Sequence, residues 1–244
     1  MDSKRRTTEP ARSAVSPRVR EATREDAPGY VEAMLAGYEM DPQFVYRYPY
    51  RKQYPDDARS ASIAVVEAAI ENPNTVVLVA ELPVPQSDNE AIAEEDWKIA
   101  AVATWEWKTL DDVESGTHPP GFSAVDSPRR DMDPTRQAEF IDAITAAERR
   151  CFGPQWGQHR MELADLACHP AFQRRGAATA LTRWGMAKAS LQGVPVMLTA
   201  SPMGRKVYLN LGFRELDYFE VGGGIERIGT WVMVWTPDGW EAPK

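Results

Sequence analysis

The stretch from residue 161 to 235 leaves the chain little freedom in how it folds. Met161 to Cys168 reads as a strand. Gly176 to Gln192 switches to helical spacing, with Leu181, Trp184, Ala187 and Leu191 on one face. Gly193 and Pro195 close that helix in the order that helix ends favour. A second strand follows over Val194 to Ala200. Ser201 and Pro202 open another helix, the serine as cap and the proline in the first turn, and Gly212 ends it. Phe213 to Val221 and Thr230 to Thr236 are two more strands about the turn Gly222-Gly223-Gly224. The order β-α-β-α-β-β demands a layered α/β or α+β domain, because each helix must bury its apolar stripe on a sheet.

The first half of the chain can supply the rest of such a sheet. Arg18 to Ala22 is a candidate first strand. Thr23 and Asp26 are cap-type residues before a helix over Ala27 to Tyr38, with Tyr30, Ala33, Met34 and Tyr38 near helical spacing. Asp41 to Pro55 is aromatic and proline-rich and reads as irregular. Arg59 to Glu71 is a second helix with Ile63, Val66 and Ile70 on one face, stopped by Asn72-Pro73-Asn74. Thr75 to Glu81 is a β-branched strand, and Trp97 to Lys108 alternates through Ile99, Ala101, Ala103 and Trp105. The two are expected to pair as a hairpin across a long acidic loop.

Residues 109 to 160 interrupt this pattern. Loop-like sequence through Pro134 leads to a helix from Pro134 to about Phe152, with an apolar face of Phe140, Ile141, Ile144 and Ala147. Connections of this length inside one domain are usually functional or disordered. Residues 1–17, polar and basic, read as a disordered tail. The expected organisation is therefore one domain over residues 18–244, with an insertion at about 109–160.

Charge and composition exclude several classes. Thirty-six acidic and 28 basic residues give a net charge of −8. A chain that coats nucleic acid needs a cationic surface, so a nucleic-acid partner is not expected. No apolar run reaches the roughly 18 residues of a membrane span. Two cysteines, Cys151 and Cys168, cannot build a disulfide scaffold and suit a reducing compartment. They do not fall at metal-ligand spacings with His118, His159 or His169, so no metal site is expected. The N-terminus lacks the apolar core of a secretory signal. Cytoplasmic residence is the expectation, with Lys4-Arg5-Arg6 as a short candidate nuclear address.

Chemistry concentrates between the strand ending at Cys168 and the helix beginning at Gly176. The intervening residues are His169-Pro170-Ala171-Phe172-Gln173-Arg174-Arg175. The first amides of a helix lack intrahelical partners and sit at the positive end of its dipole. Gly176, Ala177 and Ala178 are small enough for a diphosphate to reach that backbone, and Arg174 and Arg175 add charge. The same residues also suit a plain strand-to-helix turn with a basic surface, and the loop alone leaves both readings open.

Its surroundings favour the first reading. Gln173, Gly176 and Ala178 fill the fixed places of a Gln/Arg-x-x-Gly-x-Gly/Ala loop. Leu166-Ala167-Cys168-His169-Pro170 is similar to a Leu-Ala-Val-His-Pro lead-in, and Tyr208 to Phe213 to a Tyr-x-x-x-Gly-Phe helix end. The chain thus resembles the GNAT (GCN5-related N-acetyltransferase) superfamily, nearest to fungal-type small-molecule members with a helix before the lead-in strand. The resemblance implies a mixed, mostly antiparallel sheet flanked by helices and splayed between its fourth and fifth strands.

It also implies acetyl transfer from acetyl-CoA to a primary amine by direct attack, as a monomer or homodimer and without a metal. Residues Gln173, Arg174, Arg175, Gly176, Ala177, Ala178 and Thr179 would hold the pyrophosphate. Leu166, Ala167 and Cys168 would offer backbone to the pantetheine arm, with Ser201 and Tyr208 nearby. Tyr208 matches the family's general acid, although a packing role suits that position too. Glu162, eleven residues before Gln173, and Asp165 are candidate bases, with ordered water as the alternative. Strict strand alternation sets those two carboxylates on opposite faces unless a bulge changes the phase. Direct attack argues against Cys168 as a covalent nucleophile.

The acceptor pocket is expected among the aromatics from Phe44 to Tyr54, with Trp105, Trp107 and Trp156. Asp41, Glu106, Asp111 and Asp112 could select a cation there. Competing readings are a peptide or protein acceptor, and a catalytically silent acyl-CoA-binding protein.

Overall fold

The strands read from the sequence pair in a single mixed sheet. The computed structural model describes residues 15–84, 96–116 and 129–242. Among these, the strands are β1 (Arg18–Glu21), β2 (Thr75–Pro83), β3 (Trp97–Thr109), β4 (His159–Cys168), β5 (Val196–Ala200), β6 (Arg214–Val221) and β7 (Ile228–Trp235). They lie in the order β1-β2-β3-β4-β5-β7-β6. All neighbours run antiparallel except β4 and β5, which run parallel. Lys4-Arg5-Arg6, His118 and most of the acidic hairpin loop lie outside the described residues.

Alternation then assigns the helices to faces. Val77, Val79, Val102 and Ala167 point to α1 (Ala27–Tyr38) and to Val66 of the longer helix Pro55–Glu71. Leu78, Ala80, Ala101, Ala103 and Trp105 point the other way, to Ala177, Leu181 and Ala189 of the helix Ala177–Gln192. In chain order the helices are α1, α2 (Pro42–Arg47), α3 (Pro55–Glu71), α4 (Leu110–Ser115), α5 (Pro134–Cys151), α6 (Ala177–Gln192) and α7 (Arg205–Asn210). The residue 109–160 segment is thus largely structured where described. Val113 of α4 and Ala147 of α5 pack with Phe152 and Trp156 on Met197, Val232 and Val234. This covers the second half of the sheet on the α1 side.

Several local expectations change. Asp41 to Pro55 is not wholly irregular: the Asp41 carboxylate accepts from the amides of Gln43 at 2.9 Å and Phe44 at 3.4 Å and starts α2, with Pro42 at its first position. The helix expected from Ser201 begins at Arg205. The Ser201 carbonyl accepts from Gly204 and Arg205, so Ser201 and Pro202 form a turn that leads into α7.

The buried stripe of α6 also differs from the expected one. Ala187 and Leu191 are exposed, and the seam is Leu181, Gly185 and Ala189. Contact with Trp105 explains the choice. A Cβ at Gly185 would stand 2.2 Å from the Trp105 ring. That ring is fully buried, so it cannot swing aside. Gly185→Ala should therefore cost about 1–3 kcal/mol by overpacking, despite alanine's better helix propensity. Urea denaturation checks this, and an unchanged midpoint would mean that α6 does not rest on Trp105.

Candidate active site

β4 and β5 share only two rungs, Met161 with Val196 and Glu162 with Met197. Beyond them the strands part, while β4 stays paired to β3 as far as Cys168. A cavity of about 820 Å³ occupies the opening and is lined from both sides of the sheet. Gln173, Arg174, Gly176, Ala177, Ala178 and Thr179 line one end. Glu106, Lys108, Glu148 and Glu162 line the other, and Asp41, whose charge acts on Asp165 and Tyr208, lines the middle. Asp165, Leu166, Ala167, Cys168, Ser201 and Tyr208 lie between.

The first end is built of backbone. Among the described residues, amides 174–179 make no backbone hydrogen bond, and the next, Ala180, donates to Gly176 O at 2.9 Å. No side chain caps α6. Arg174 at φ 64° and Gly176 at φ 88° bend the chain so that this run of donors is collected in one place. Gln173 donates its side-chain amide to Cys168 O at 3.3 Å and ties the loop to β4. Arg175 turns away from the cavity. Its guanidinium donates to Pro83 O at 3.0 Å and lies over the Phe172 ring. Arg183, the next turn along α6 from Thr179, lines the cavity instead.

A bulge shapes the middle. Thr104 pairs with Asp165 and Trp105 with Leu163, so Ala164 is the extra residue. The alternation phase shifts there, and Glu162 and Asp165 come to the same face. Asp165 accepts from the Tyr38 hydroxyl and, at 3.1 Å, from the Tyr30 hydroxyl, which also meets Thr104 Oγ1 at 2.9 Å. Burial pushes the Asp165 carboxyl above its ordinary range, against the lowering by these two donors. The Tyr38 oxygen also accepts from the Leu166 amide at 3.1 Å. Gly37 lets α1 come this close, since a Cβ there would stand 3.0 Å from Cys168 N and O.

Tyr208 is 7% exposed and packs edge-on against Phe213. Its hydroxyl, on the cavity, makes no hydrogen bond among the described residues. Burial, then the charges of Asp165 and Asp41, push the phenol well up, so it remains protonated at neutral pH. Burial also pushes the Cys168 thiol up to about 11, which leaves little thiolate for nucleophilic chemistry.

The second end is ionic. Lys108 donates to Glu162 Oε1 at 3.0 Å and lies 3.7 Å from Glu106 Oε2. Arg160 Nε is 3.9 Å from Glu162 Oε2. Glu148 reaches in from α5. All five side chains are buried. Burial, followed by the charge of Glu162, pushes the Glu106 carboxyl up to about 7 and that of Glu148 up to about 8.

Residues 137–213 match the Acetyltransferase (GNAT) family. Over this segment the chain is similar to the GNAT acetyltransferases. An "Acetyltransferase" of Stachybotrys chartarum is 25% identical over 209 residues, which is 83% of each chain. Among solved structures, the polyamine N-acetyltransferase of Drosophila melanogaster has a TM-score of 0.63 at 12% identity, covering 91% of this chain and 100% of that one. A mosquito arylalkylamine N-acetyltransferase like 5b has a TM-score of 0.62 at 14% identity, with the same coverages. At these identities the structural likeness is one of fold. The two-rung β4–β5 pair is the expected splay of the GNAT sheet.

The cavity gathers most of the residues singled out in the sequence. Glu162, Asp165, Leu166, Ala167, Cys168, Gln173, Arg174, Gly176, Ala177, Ala178, Thr179, Ser201 and Tyr208 all line it. Arg175 lines it through neither its guanidinium nor its stem. The acceptor walls are less aromatic than expected. Of the rings proposed, Phe44 alone lines the cavity among the described residues, whereas Trp105 is core and Trp156 stacks on Trp240. Asp112 is used as a cap for Thr109. Sequence reasoning missed Tyr38, Lys108, Glu148 and Arg183. Glu148 follows Ile141 and Ile144 at helical spacing, which is the signal that could have placed it on the cavity.

The ionic end makes stability depend on pH. Glu106 and Glu148 hold protons more tightly folded than unfolded, where their ordinary value is 4.5. The stability they add below about pH 5 is therefore lost as pH rises through about 7 and about 8. Thermal unfolding across this range should show a falling Tm, and Glu148→Gln should flatten the slope. An identical slope in the variant would count against a protonated Glu148.

Proposed function

We propose that this enzyme transfers the acetyl group of acetyl-CoA to the primary amine of a small cationic molecule by direct attack. One observation carries the reading. A single cavity runs from a cluster of unpaired amides to a group of carboxylates, with Asp165 and Tyr208 between them.

The residues suit each partner. Amides 174–179, with Arg174 and Arg183, fit a diphosphate, and no carboxylate side chain of the loop opposes it. The opened edge of β4 at Leu166 to Cys168 suits an amide-bearing arm. Acetyl-CoA supplies the activated thioester. Asp165 takes a proton from the incoming ammonium, which must be neutral to attack, and the hydroxyls of Tyr38 and Tyr30 hold the carboxylate in place. Glu162 is already engaged by Lys108, which makes it the weaker base. As the nitrogen bonds to the acetyl carbon and the carbon–sulfur bond breaks, the Tyr208 phenol gives its proton to the departing sulfur.

A small acceptor is favoured over a peptide because α5 walls the acceptor end with Phe140, Ile141, Ile144 and Glu148. The free thiols Cys151 and Cys168 suit a reducing, cytoplasmic setting.

CoA should raise the Tm, and thiol release should follow addition of small amines. Tyr208→Phe should lower kcat by about 10²-fold or more while leaving CoA affinity nearly unchanged. In the wild type, kcat/KM should rise with pH as Asp165 ionises, and Asp165→Asn should lose that limb. Absence of any CoA effect at millimolar concentration overturns the reading. CoA binding without turnover would instead indicate a silent binder, and preference for peptides a protein acceptor.

A further inference from the structure

The ionic end of the cavity takes no part in the proton transfers, yet it is costly to build. Charges buried without compensation are strongly destabilising. Here three carboxylates, Glu106, Glu148 and Glu162, face two cations, Lys108 and Arg160. Lys108 and Arg160 approach Glu162, and Lys108 approaches Glu106. Glu148 lies within the field of Lys108 and Arg160 but forms no ion pair with either among the described residues. It is 4% exposed, lines the cavity, and its carboxyl accepts no hydrogen bond among the described residues. A buried carboxyl in this state is short of a donor, which an entering ligand can supply. Arg47, which also lines the cavity, acts on Asp165; its Nε donates to Gln43 O at 3.1 Å and its guanidinium lies over the Phe140 ring.

We propose that Glu148, with Glu106 and Glu162, is the seat of a second ammonium, so that the acceptor is a diamine rather than a monoamine. This rests on the reading that a primary amine is acetylated near Asp165. An entering ammonium favours the ionised form of Glu148, gives it a donor, and so brings the three carboxylates and three cations into balance. Asp165 and Glu162 are three residues apart on β4, about 10 Å of extended strand before shortening by the bulge. A diamine of intermediate length spans that distance, and Phe140, Ile141 and Ile144 offer apolar wall to its methylenes.

The test compares butyl-, pentyl- and hexylamine with diaminobutane, diaminopentane and diaminohexane, using the full chain and saturating acetyl-CoA. The expected result is kcat/KM at least tenfold higher for the best diamine than for its matched monoamine, with an optimum in length. Glu148→Gln should erase most of that preference through KM, with kcat for the diamine largely retained, as loss of uniform binding requires. Glu106→Gln gives the same readout independently. Equal use of diamines and monoamines by the wild type overturns the second seat and leaves amine acetylation standing. A preference that survives both variants also overturns it. No acetylation of any amine overturns the underlying reading and the seat with it.

Discussion

The parallel pairing of β4 with β5 stops after two rungs, and the rest of the site follows from that stop. A strand that leaves its neighbour exposes backbone donors and acceptors that the interior cannot leave unmatched. The chain answers with side chains. The Tyr38 hydroxyl takes the Leu166 amide, and the Gln173 side chain donates to the Cys168 carbonyl. Both partners come from elements that the opening itself brings close. The same divergence places the start of α6 and its free amides at one end of the gap. It also lets α5 close the other end.

Electrostatics divide along this passage. The chain carries −8 overall, yet its cavity begins at amides and arginines and ends at carboxylates. A polyanion and a polycation could therefore occupy one channel from opposite ends with little chance of exchanging places. The global charge says nothing of this, because the arrangement depends on where β4, α5 and α6 start and stop. Lys108 carries particular weight: without it, Glu106 and Glu162 would face each other across β3 and β4 as bare like charges.

Much of the architecture was legible because its signals are local. The α1 bounds, the Gly193 stop of α6 and the loop from Gln173 to Ala178 are each written in a few consecutive residues. The place of Tyr208 on the cavity was legible for the same reason. The failures have the opposite character. Gly185 looked like a weak point in a helix, and only its contact with Trp105 explains it. Ser201 and Pro202 matched a helix start, but the turn they make precedes the helix. Arg175 and Arg183 are chemically alike, and the bond from Arg175 to Pro83 decides which one the cavity keeps. Glu148 and Lys108 meet only through tertiary packing, across elements far apart in the chain.

The bulge at Ala164 bears on how this sequence can change over time. Glu162 and Asp165 are an odd number of residues apart, and only the extra residue lets them share a face. Deleting Ala164 would leave them two apart, and plain alternation would keep both on the α1 side. Straightening the strand at unchanged length would instead turn one of them to the α6 side, into the apolar layer around Leu181. A one-residue deletion is therefore a change this strand can absorb, whereas regular pairing at its present length is not.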